Sequence, residues 1–291
     1  MKKICCIGHI TLDRIVNPVA TIYQNGGTAY YFAHGMARFP DAHFQLVTSL
    51  AEEQMASVEE IRKKGVEVVV FPSRKTVYFE NIYGEDQNHR TQRVLCKADP
   101  FRVEQFADMD ADIFHLGSLL ADDFSLELVR YLSTKGVVSL DAQGFLRRVN
   151  GLDVEACDWD EKREVLKYVD IMKVNEHEMA ALTGETDPLK AGRTLASWGA
   201  KEVVITEGSL GSFIYVDQQM HQIPAYPPLQ IVDATGCGDT YMTGYLYQRA
   251  QGATPREAGC FAAAMSTLKL EHFGPFSDTV ADIHRLVEGK R

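Results

Sequence analysis

The segment DATGCGD at 233–239 places two carboxylates around a pair of glycines, directly before the stretch TYMTGYLYQRA. Glycine lets backbone N–H groups approach a ligand closely, and a helix N-terminus presents unpaired N–H donors to an anion such as phosphate. A carboxylate beside that anion is explained if Asp239 removes a proton from a hydroxyl that attacks phosphorus. The plainer alternative is a glycine-rich turn with an Asp that stabilises the helix dipole.

The elements that must position this segment follow a recurring order: an amphipathic stretch, a glycine and a β-branched run. The order occurs at 56–71, 125–142 and 187–208. Asp187 is a natural N-cap, with Pro188 at the first helical position. The glycines Gly65, Gly136 and Gly199 are expected at helix C-termini in the left-handed conformation. Repeated helix–glycine–strand units predict a parallel sheet with helices on both faces.

Other segments depart from this order. Alternating residues at 76–84 and 90–96, around the polar turn EDQNH, predict a hairpin that is a candidate lid. The segments 15–27 and 211–225 predict a short excursion and a further hairpin. The stretch 142–160 is expected to be a long loop, and the chain from Gly236 onward is expected to be mostly helical.

Composition excludes several classes of protein. The 291 residues carry 30 Lys and Arg against 40 Asp and Glu, a formal charge of −10, with 45% hydrophobic residues. These values argue against disorder and against a nucleic-acid coat, and no apolar run is long enough for a membrane span. The apolar run after Lys2 and Lys3 is interpreted as a buried strand. Six cysteines without a CxxC pair favour a reducing, cytoplasmic location.

The segment DATGCGD resembles the C-terminal signature of the PfkB, or ribokinase-like, carbohydrate kinase family. Four more family motifs occur in order. They are GHITLD at 8–13, the glycine pair of GGTA at 26–29, NEHE at 175–178 and TEGSLG at 206–211. The resemblance covers essentially the whole chain. It implies a three-layer α/β/α sandwich with a mostly parallel central sheet and a small β lid, formed as one kinase domain over 1–291. The lid segments would span about 14–25 and 74–96.

The resemblance also implies the catalytic and donor-binding residues. Asp239 would be the base, and the backbone amides of Gly236, Cys237 and Gly238 would form an anion hole, with Cys237 in place of the usual Ala. ATP would contact a set of residues on three segments: Asn175, Thr206, Gly208, Gly211 and Gly238. Glu178 would position Mg²⁺ through water. Asn175 and Glu178 also have a purely local interpretation, as an N-cap Asn with its capping-box Glu.

For the acceptor, the resemblance implies one set of binding residues: Asp13, Gly26, Gly27, Tyr31, Gln143 and Arg147. Thr28 and Tyr31 stand where ribokinase has polar Lys and Asn, so ribose is not assumed. The short lids resemble those of the myo-inositol and nucleoside kinases. A cyclitol is the favoured narrow expectation, since a pocket of Asp, Gln and Tyr suits ring hydroxyls.

Several alternatives stay open at this point. A nucleoside or pyridoxal-type kinase would need an aromatic wall, from Tyr30, Tyr31 or Phe145. A member that binds a ligand without catalysis belongs to another class, and the intact Asp239 argues against it. The expected cofactors are ATP and Mg²⁺. Asp233 and Thr235, with residues near Leu270 to Ser277, form a candidate K⁺ site. No nucleic-acid or membrane partner is expected, and exposed lid strands suggest a homodimer.

Overall fold

The computed structural model describes residues 1–83 and 90–290, and its strands form two sheets. The strands in these residues are β1 (Ile4–Gly8), β2 (Thr11–Val16), β3 (Thr21–Gly26), β4 (Phe44–Leu50), β5 (Glu67–Pro72), β6 (Val77–Tyr83), β7 (Arg90–Cys96), β8 (Ile113–Gly117), β9 (Val137–Asp141), β10 (Arg147–Asn150), β11 (Asp153–Ala156), β12 (Ile171–Asn175), β13 (Glu202–Thr206), β14 (Ser212–Val216) and β15 (Gln219–Ile223). The helices are α1 (Thr28–Met36), α2 (Met55–Arg62), α3 (Leu126–Ser133), α4 (Lys162–Val165), α5 (Glu176–Thr183), α6 (Pro188–Trp198), α7 (Cys237–Ala250), α8 (Pro255–Leu270) and α9 (Val280–Val287).

The large sheet has the order β15-β14-β13-β12-β9-β8-β1-β4-β5. Its strands pair in parallel from β13 to β5, and β14 and β15 add an antiparallel edge. The chain winds outward in one direction from β1 through β4 and β5, and in the other through β8. Ligands of open α/β sheets bind at the carboxyl ends of the strands beside such a reversal, so the end of β1 is the expected edge for a site.

Helices cover both faces of the large sheet and complete the predicted three-layer sandwich. One core contains side chains of α1, α2, α7, α8 and α9, and the other contains side chains of α3, α4, α5 and α6. Cys5 and Cys6 project to opposite faces of β1 and belong to different cores, as the alternation of a strand requires. All six cysteines are free. Among the described residues, none of the helices has the length and apolarity needed to cross a membrane.

The small sheet has the order β10-β11-β7-β6-β2-β3. The strands β6 and β7 pair antiparallel, which confirms the predicted hairpin, although its EDQNH turn lies outside the described residues. The predicted excursion at 15–27 forms most of a second hairpin, β2–β3. The expectation of a long loop at 142–160 was wrong: β10 and β11 form a third hairpin that joins β7 through the pair Asp153–Arg93. Gly151, with φ of 63°, makes the tight turn between them.

The residues predicted to begin and end helices agree with the structure, with one exception. Asp187 accepts a hydrogen bond from the Lys190 N–H and begins α6. Gly65 and Gly199 have positive φ, as expected. Gly136 does not; a Cβ there would lie 2.6 Å from the Ala111 carbonyl oxygen. Glycine is needed at this position for space rather than for backbone conformation.

Candidate active site

A cavity of about 890 Å³ opens at the carboxyl ends of the central strands and is walled by both sheets. The start of α7 contributes Gly236, Gly238 and Asp239 to its lining. The small sheet contributes side chains from its inner face, which are Thr11, Asp13, Ile15, Gln24, Phe79, Asn81 and Gln92. The structure therefore brings the C-terminal glycine segment together with residues more than 140 positions earlier in the chain.

The first turn of α7 is shaped to bind an anion. Gly236 is the N-cap with φ of 76°, and a Cβ on it would lie 2.2 Å from a ring carbon of Tyr31. In the described part of the chain, neither the Gly236 nor the Gly238 N–H donates to a protein acceptor. The Cys237 N–H donates to the Ala234 carbonyl at 3.2 Å. Of the three amides expected in the anion hole, two are thus available to a ligand.

Asp239 lies in the first turn of α7, where its partly buried carboxyl group faces the cavity. Burial and the neighbouring Asp141 carboxylate raise its pKa to about 6, against the opposing effects of Lys173 and of a hydrogen bond with Thr28. A carboxylate that titrates near neutrality is suited to accept and release protons. Thr28 was not expected to contact Asp239; the two residues are far apart in sequence, and only the packing of α1 against α7 brings them together.

A buried lysine balances these carboxylates. The Lys173 Nζ lies 3.0 Å from Asp141 Oδ2 and 3.7 Å from Glu178 Oε2, and a Cβ on Gly238 would be 3.4 Å from it. Although burial alone would lower it, the two carboxylates hold the pKa of Lys173 above its ordinary value. Sequence reasoning missed this residue. The signal was a lysine within the apolar run IMKV of a buried strand, where an unpaired charge would be costly.

Asn175 and Glu178 form the capping box that their spacing predicted. Asn175 Oδ1 accepts from the Glu178 N–H at 2.8 Å, and Glu178 Oε2 accepts from the Asn175 N–H at 2.8 Å. Glu178 Oε1 accepts from the Asn175 side-chain amide at 2.9 Å. Asn175 lines the cavity, whereas Glu178 is buried behind it. Both oxygens of Glu178 accept hydrogen bonds within the protein.

Where the acceptor was expected to bind, two glycines let the chain close around Asp13. Thr11 Oγ1 donates to Asp13 Oδ1 at 2.7 Å, and a Cβ on Gly26 would lie 2.4 Å from Asp13 Oδ2. Gly27, with φ of 84°, is the N-cap of α1, where a Cβ would lie 2.4 Å from the His9 carbonyl oxygen. Only glycine allows these approaches. The Asp13 carboxylate is thereby fixed on the cavity wall.

Gln143 and Arg147 also line the cavity, just beyond the end of β9. The Gln143 N–H donates to Asp141 Oδ1 at 2.9 Å, which turns the chain at this point. Of the three aromatic residues considered as a wall, Tyr31 lines the cavity but is only 2% exposed and packs on Gly236. Phe145 stacks on Trp159, and Tyr30 contacts His34; neither lines the cavity.

The opposite end of the cavity is formed by the β13–β14 turn, the segment 225–232 and α8. Thr206, Gly208 and Gly211 line it as expected. Gly211 has φ of 99°, and a Cβ there would lie 2.3 Å from the Ile223 carbonyl oxygen. The remaining lining of this end is mostly small or apolar, with some hydroxyl groups, and comprises Ser209, Ser212, Ala225, Tyr226, Pro228, Ile231, Val232, Tyr241, Ala263, Ser266, Thr267 and Leu270.

Just before the expected anion hole, Asp233 accepts hydrogen bonds from the Thr235 N–H at 2.9 Å and from the Lys269 ammonium at 3.1 Å. Against the effect of burial, these two groups hold the pKa of Asp233 below its ordinary value. Burial raises the pKa of Cys237 to about 11, although Lys269 opposes it. The Cys237 thiol is therefore protonated near neutral pH and has little nucleophilic character.

The fold and this site define a kinase that acts on a small molecule. Residues 111–281, more than half of the chain, match the model of the pfkB family carbohydrate kinases, and the chain belongs to that family. It is 28% identical to the cytidine kinase of Thermococcus kodakarensis, over 96% of this chain and 100% of that protein. It is 23% identical to the nucleoside kinase of Methanocaldococcus jannaschii, over 94% and 92% of the two chains.

Among solved structures, the chain resembles a pyrophosphate-dependent kinase of the ribokinase family complexed with a pyrophosphate analog and myo-inositol. The TM-score is 0.87 and the identity 28%, over 97% of this chain and 99% of that one. The family and the ribokinase-like fold expected from the motifs are thus confirmed. The relatives differ in acceptor, and this structural neighbour differs in phosphate donor from the ATP expected here.

Proposed function

We propose that this kinase transfers the γ-phosphoryl group of ATP to a hydroxyl of a small polyol, with Asp239 as the general base. The observation that carries the proposal is the position of the Asp239 carboxyl in the cavity, in the same helical turn as the open N–H groups of Gly236 and Gly238. With a pKa of about 6, the carboxyl is mostly ionised at neutral pH and ready to accept a proton.

In the proposed reaction, the acceptor hydroxyl gives its proton to Asp239 while its oxygen bonds to the γ-phosphorus. The bond from that phosphorus to the bridging oxygen breaks, and ADP leaves with the electron pair. The N–H groups of Gly236 and Gly238 stabilise the negative charge on the transferred group. We assign residues 1–291 to one kinase domain in which the small sheet is the lid; closure would exclude water and limit hydrolysis of the donor.

ATP is preferred over pyrophosphate as donor because of the small, apolar end of the cavity. The surfaces of Ala225, Ala263 and Leu270 offer contacts to a nucleobase. Pyrophosphate has no apolar part to place there and would leave this surface in contact with water.

Mg²⁺ suits the oxygen-rich side of the cavity. Asp141 and Asn175 line this side, and Glu178 lies behind it, so carboxylate and amide oxygens are close to where the donor phosphates would bind. Magnesium keeps several waters and is commonly held by few protein groups together with phosphates. When bound, it would neutralise phosphate charge. In the described residues no cluster of three metal-ligating side chains occurs, which agrees with a metal held mainly by phosphate and water.

For the acceptor, we infer a cyclitol or similar polyol. The wall around Asp13 is rich in polar side chains, which are Thr11, Gln24, Asn81, Gln92 and Gln143. Gln92 donates to Asn81 across the strands at 3.0 Å, which presents an ordered amide pair to the cavity. The cavity lining includes four aromatic residues, of which Phe79 belongs to the same small sheet as Asp13, the Tyr31 ring is packed and only 2% exposed, and Tyr226 and Tyr241 belong to the segment 225–232 and to α7. Ring hydroxyls match this polar wall better than a nucleobase does.

A nucleoside acceptor is the second candidate, favoured by the full-length similarity to the cytidine kinase. An amide pair such as Asn81 and Gln92 also pairs with the polar edge of a pyrimidine. A ligand-binding member without catalysis is disfavoured by the tuned pKa of Asp239.

One panel tests these proposals. Acceptor-dependent phosphate transfer is measured with myo-inositol, ribose, fructose, 2-keto-3-deoxygluconate, adenosine, cytidine and pyridoxal, each with Mg-ATP, pyrophosphate or tripolyphosphate. We expect myo-inositol or a related polyol with ATP to give the highest kcat/KM. Tripolyphosphate has the phosphate chain of ATP but no nucleoside, so the difference in kcat/KM between the two donors measures what the nucleoside contributes. Equal turnover with pyrophosphate would contradict the proposal that ATP is the donor. If cytidine is the best acceptor, the proposed cyclitol substrate is wrong. ATP binding without transfer to any acceptor would contradict the proposal that the protein is a catalyst.

We also propose that the chain forms a homodimer through β3. This strand is at the edge of the small sheet, and Ile22 and Tyr23 on it are 48% and 59% exposed. An edge strand with exposed apolar side chains favours pairing with a second copy.

A further inference from the structure

The family resemblance implies a monovalent cation beside the anion hole, held by Asp233, Thr235 and the segment 270–277. In this structure the ammonium of Lys269 occupies that position. Its Nζ lies 2.7 Å from the Asp233 carbonyl oxygen and 3.1 Å from Asp233 Oδ2. Lys269 is 0% exposed, and a buried ammonium needs such partners.

The surrounding oxygens are already engaged by N–H donors. The Leu270 carbonyl accepts from the Val232 N–H at 2.9 Å and from the Asp233 N–H at 3.2 Å. Asp233 Oδ2 also accepts from the Gly274 N–H at 3.3 Å, and Asp233 Oδ1 from the Thr235 N–H. A second cation here would have to displace these donors and would be repelled by the ammonium. The residues present do not fit a monovalent cation.

Helix α8 contacts both ends of the segment 233–237, which leads into the proposed anion hole. Lys269 binds Asp233 at its beginning, and one turn earlier on α8 the Ser266 hydroxyl donates to the Cys237 carbonyl at 3.0 Å. The Tyr31 ring covers the ammonium at 5.8 Å and packs on Gly236. The ammonium thus lies between the Tyr31 ring and Asp233, at the start of the segment whose N–H groups are proposed to bind the transferred phosphoryl group.

We propose that Lys269 is a built-in cation that positions the anion-hole segment through Asp233, and that the kinase therefore works without a monovalent metal ion. Lys269 is a positioning residue: it does not line the described cavity wall and acts through the backbone at Asp233. The inference rests on the proposed role of Gly236 and Gly238.

The first test compares wild-type turnover in K⁺, Na⁺ and tetramethylammonium chloride at equal ionic strength. We expect rates within twofold of one another. Activation by K⁺ of tenfold or more would overturn the proposal.

The second test is Lys269→Met, with the exposed Lys63→Met as the matched control. We expect kcat to fall at least about tenfold with little change in acceptor KM, because the acceptor wall is untouched. We also expect K⁺ to raise the melting temperature and the kcat of Lys269→Met, and to do neither in wild type or Lys63→Met. The melting measurement needs no substrate, so it remains decisive even if the assigned reaction is wrong. A Lys269→Met protein that has wild-type kcat, or that does not respond to K⁺, contradicts the proposal.

If Lys269→Met does not fold, the double variant Lys269→Met/Asp233→Asn, which removes both charges of the ion pair, is tested in its place. We expect this protein to fold, to lose kcat by a similar factor and to ignore K⁺. Turnover within twofold of wild type would show that the ion pair does not position the anion hole.

Discussion

The ammonium of Lys173 lies 3.0 Å from a carboxylate oxygen of Asp141, and both groups act on the pKa of Asp239 in opposite directions. Asp141 raises this pKa by like-charge repulsion, and Lys173 lowers it by attraction. The pair therefore tunes the proposed base while nearly cancelling its own charge. Because the three residues come from β9, β12 and α7, the tuning depends on how the sheet and helix are packed.

The pH dependence of the reaction should report Asp239. Its pKa is raised to about 6, so the active, ionised base is lost as the pH falls through that value. We expect kcat/KM to decline about tenfold per pH unit below that point, and to level off above about pH 7. A profile measured with saturating donor checks this. A rate that stays constant down to about pH 5 would exclude Asp239 as the base.

Two substitutions should move that acidic limb in opposite directions. Asp141→Asn removes a repelling charge and should shift the limb to lower pH, whereas Lys173→Met removes an attracting one and should shift it higher by about one unit or more. The opposite signs separate an electrostatic effect from general damage to the site. The measurement is the pH profile of kcat/KM, with the exposed Lys201→Met as the control. Shifts of the same sign in both variants would contradict the assignment.

Asp239→Asn should lower kcat by at least about a hundredfold while raising stability. The folded-state pKa lies above the unfolded value, so the stabilisation from protonated Asp239 is complete below pH 3.8 and is lost as the pH rises through about 6. Asn avoids that loss, which is at most about 3 kcal/mol at neutral pH. Thermal melts at several pH values check this.

For this variant we expect a melting-temperature difference that is large at pH 7 and vanishes near pH 4. The exposed Asp160→Asn is the control and should change neither turnover nor melting. Wild-type turnover in Asp239→Asn, or a gain in stability independent of pH, would refute the role given to this carboxyl.

The amide pair should govern acceptor binding. Asn81→Leu keeps the branched shape of the side chain but removes the hydrogen-bond partner of Gln92 and the proposed polar contact with the acceptor. We expect the acceptor KM to rise about tenfold or more, the value of roughly one hydrogen bond or two, with the ATP KM unchanged. Steady-state kinetics with both substrates varied make this measurement. Gln222→Leu, at an exposed position of β15, is the control. An unchanged acceptor KM in Asn81→Leu would remove the pair from the acceptor site.

The proposed dimer has a direct test. Light scattering after gel filtration should give a dimer for wild type and a monomer for Ile22→Lys, because a charge at an edge strand disfavours pairing. Lys63→Met should remain dimeric. A wild-type monomer at concentrations of about 100 μM would rule out this interface.

The sequence determined the features that depend on near neighbours in the chain. The DATGCGD segment indicated a helix start with open N–H groups and Asp239 in its first turn, because glycine and helix geometry are local properties. Asn175 and Glu178 form their predicted capping box for the same reason, since the residues are three positions apart. Alternation within 76–96 indicated a hairpin. The cytoplasmic location, drawn from composition alone, remains a prediction.

Tertiary structure decided what depends on distant partners. Lys173 was not singled out from the sequence, because the folded sheet is what brings Asp141 and Glu178 beside it. The contact of the Lys269 ammonium with Asp233, where a monovalent cation had been expected, likewise depends on packing. The hairpin at 147–156 was missed because its strands are only four residues long, and it also joins β7 through the pair Asp153–Arg93, whose members are 60 positions apart in the chain. The sequence states the charge and size of each residue, but packing in the folded chain decides which residue it contacts. Local sequence motifs therefore indicated which residues could do the chemistry of this site, but not the distant contacts that shift their pKa values.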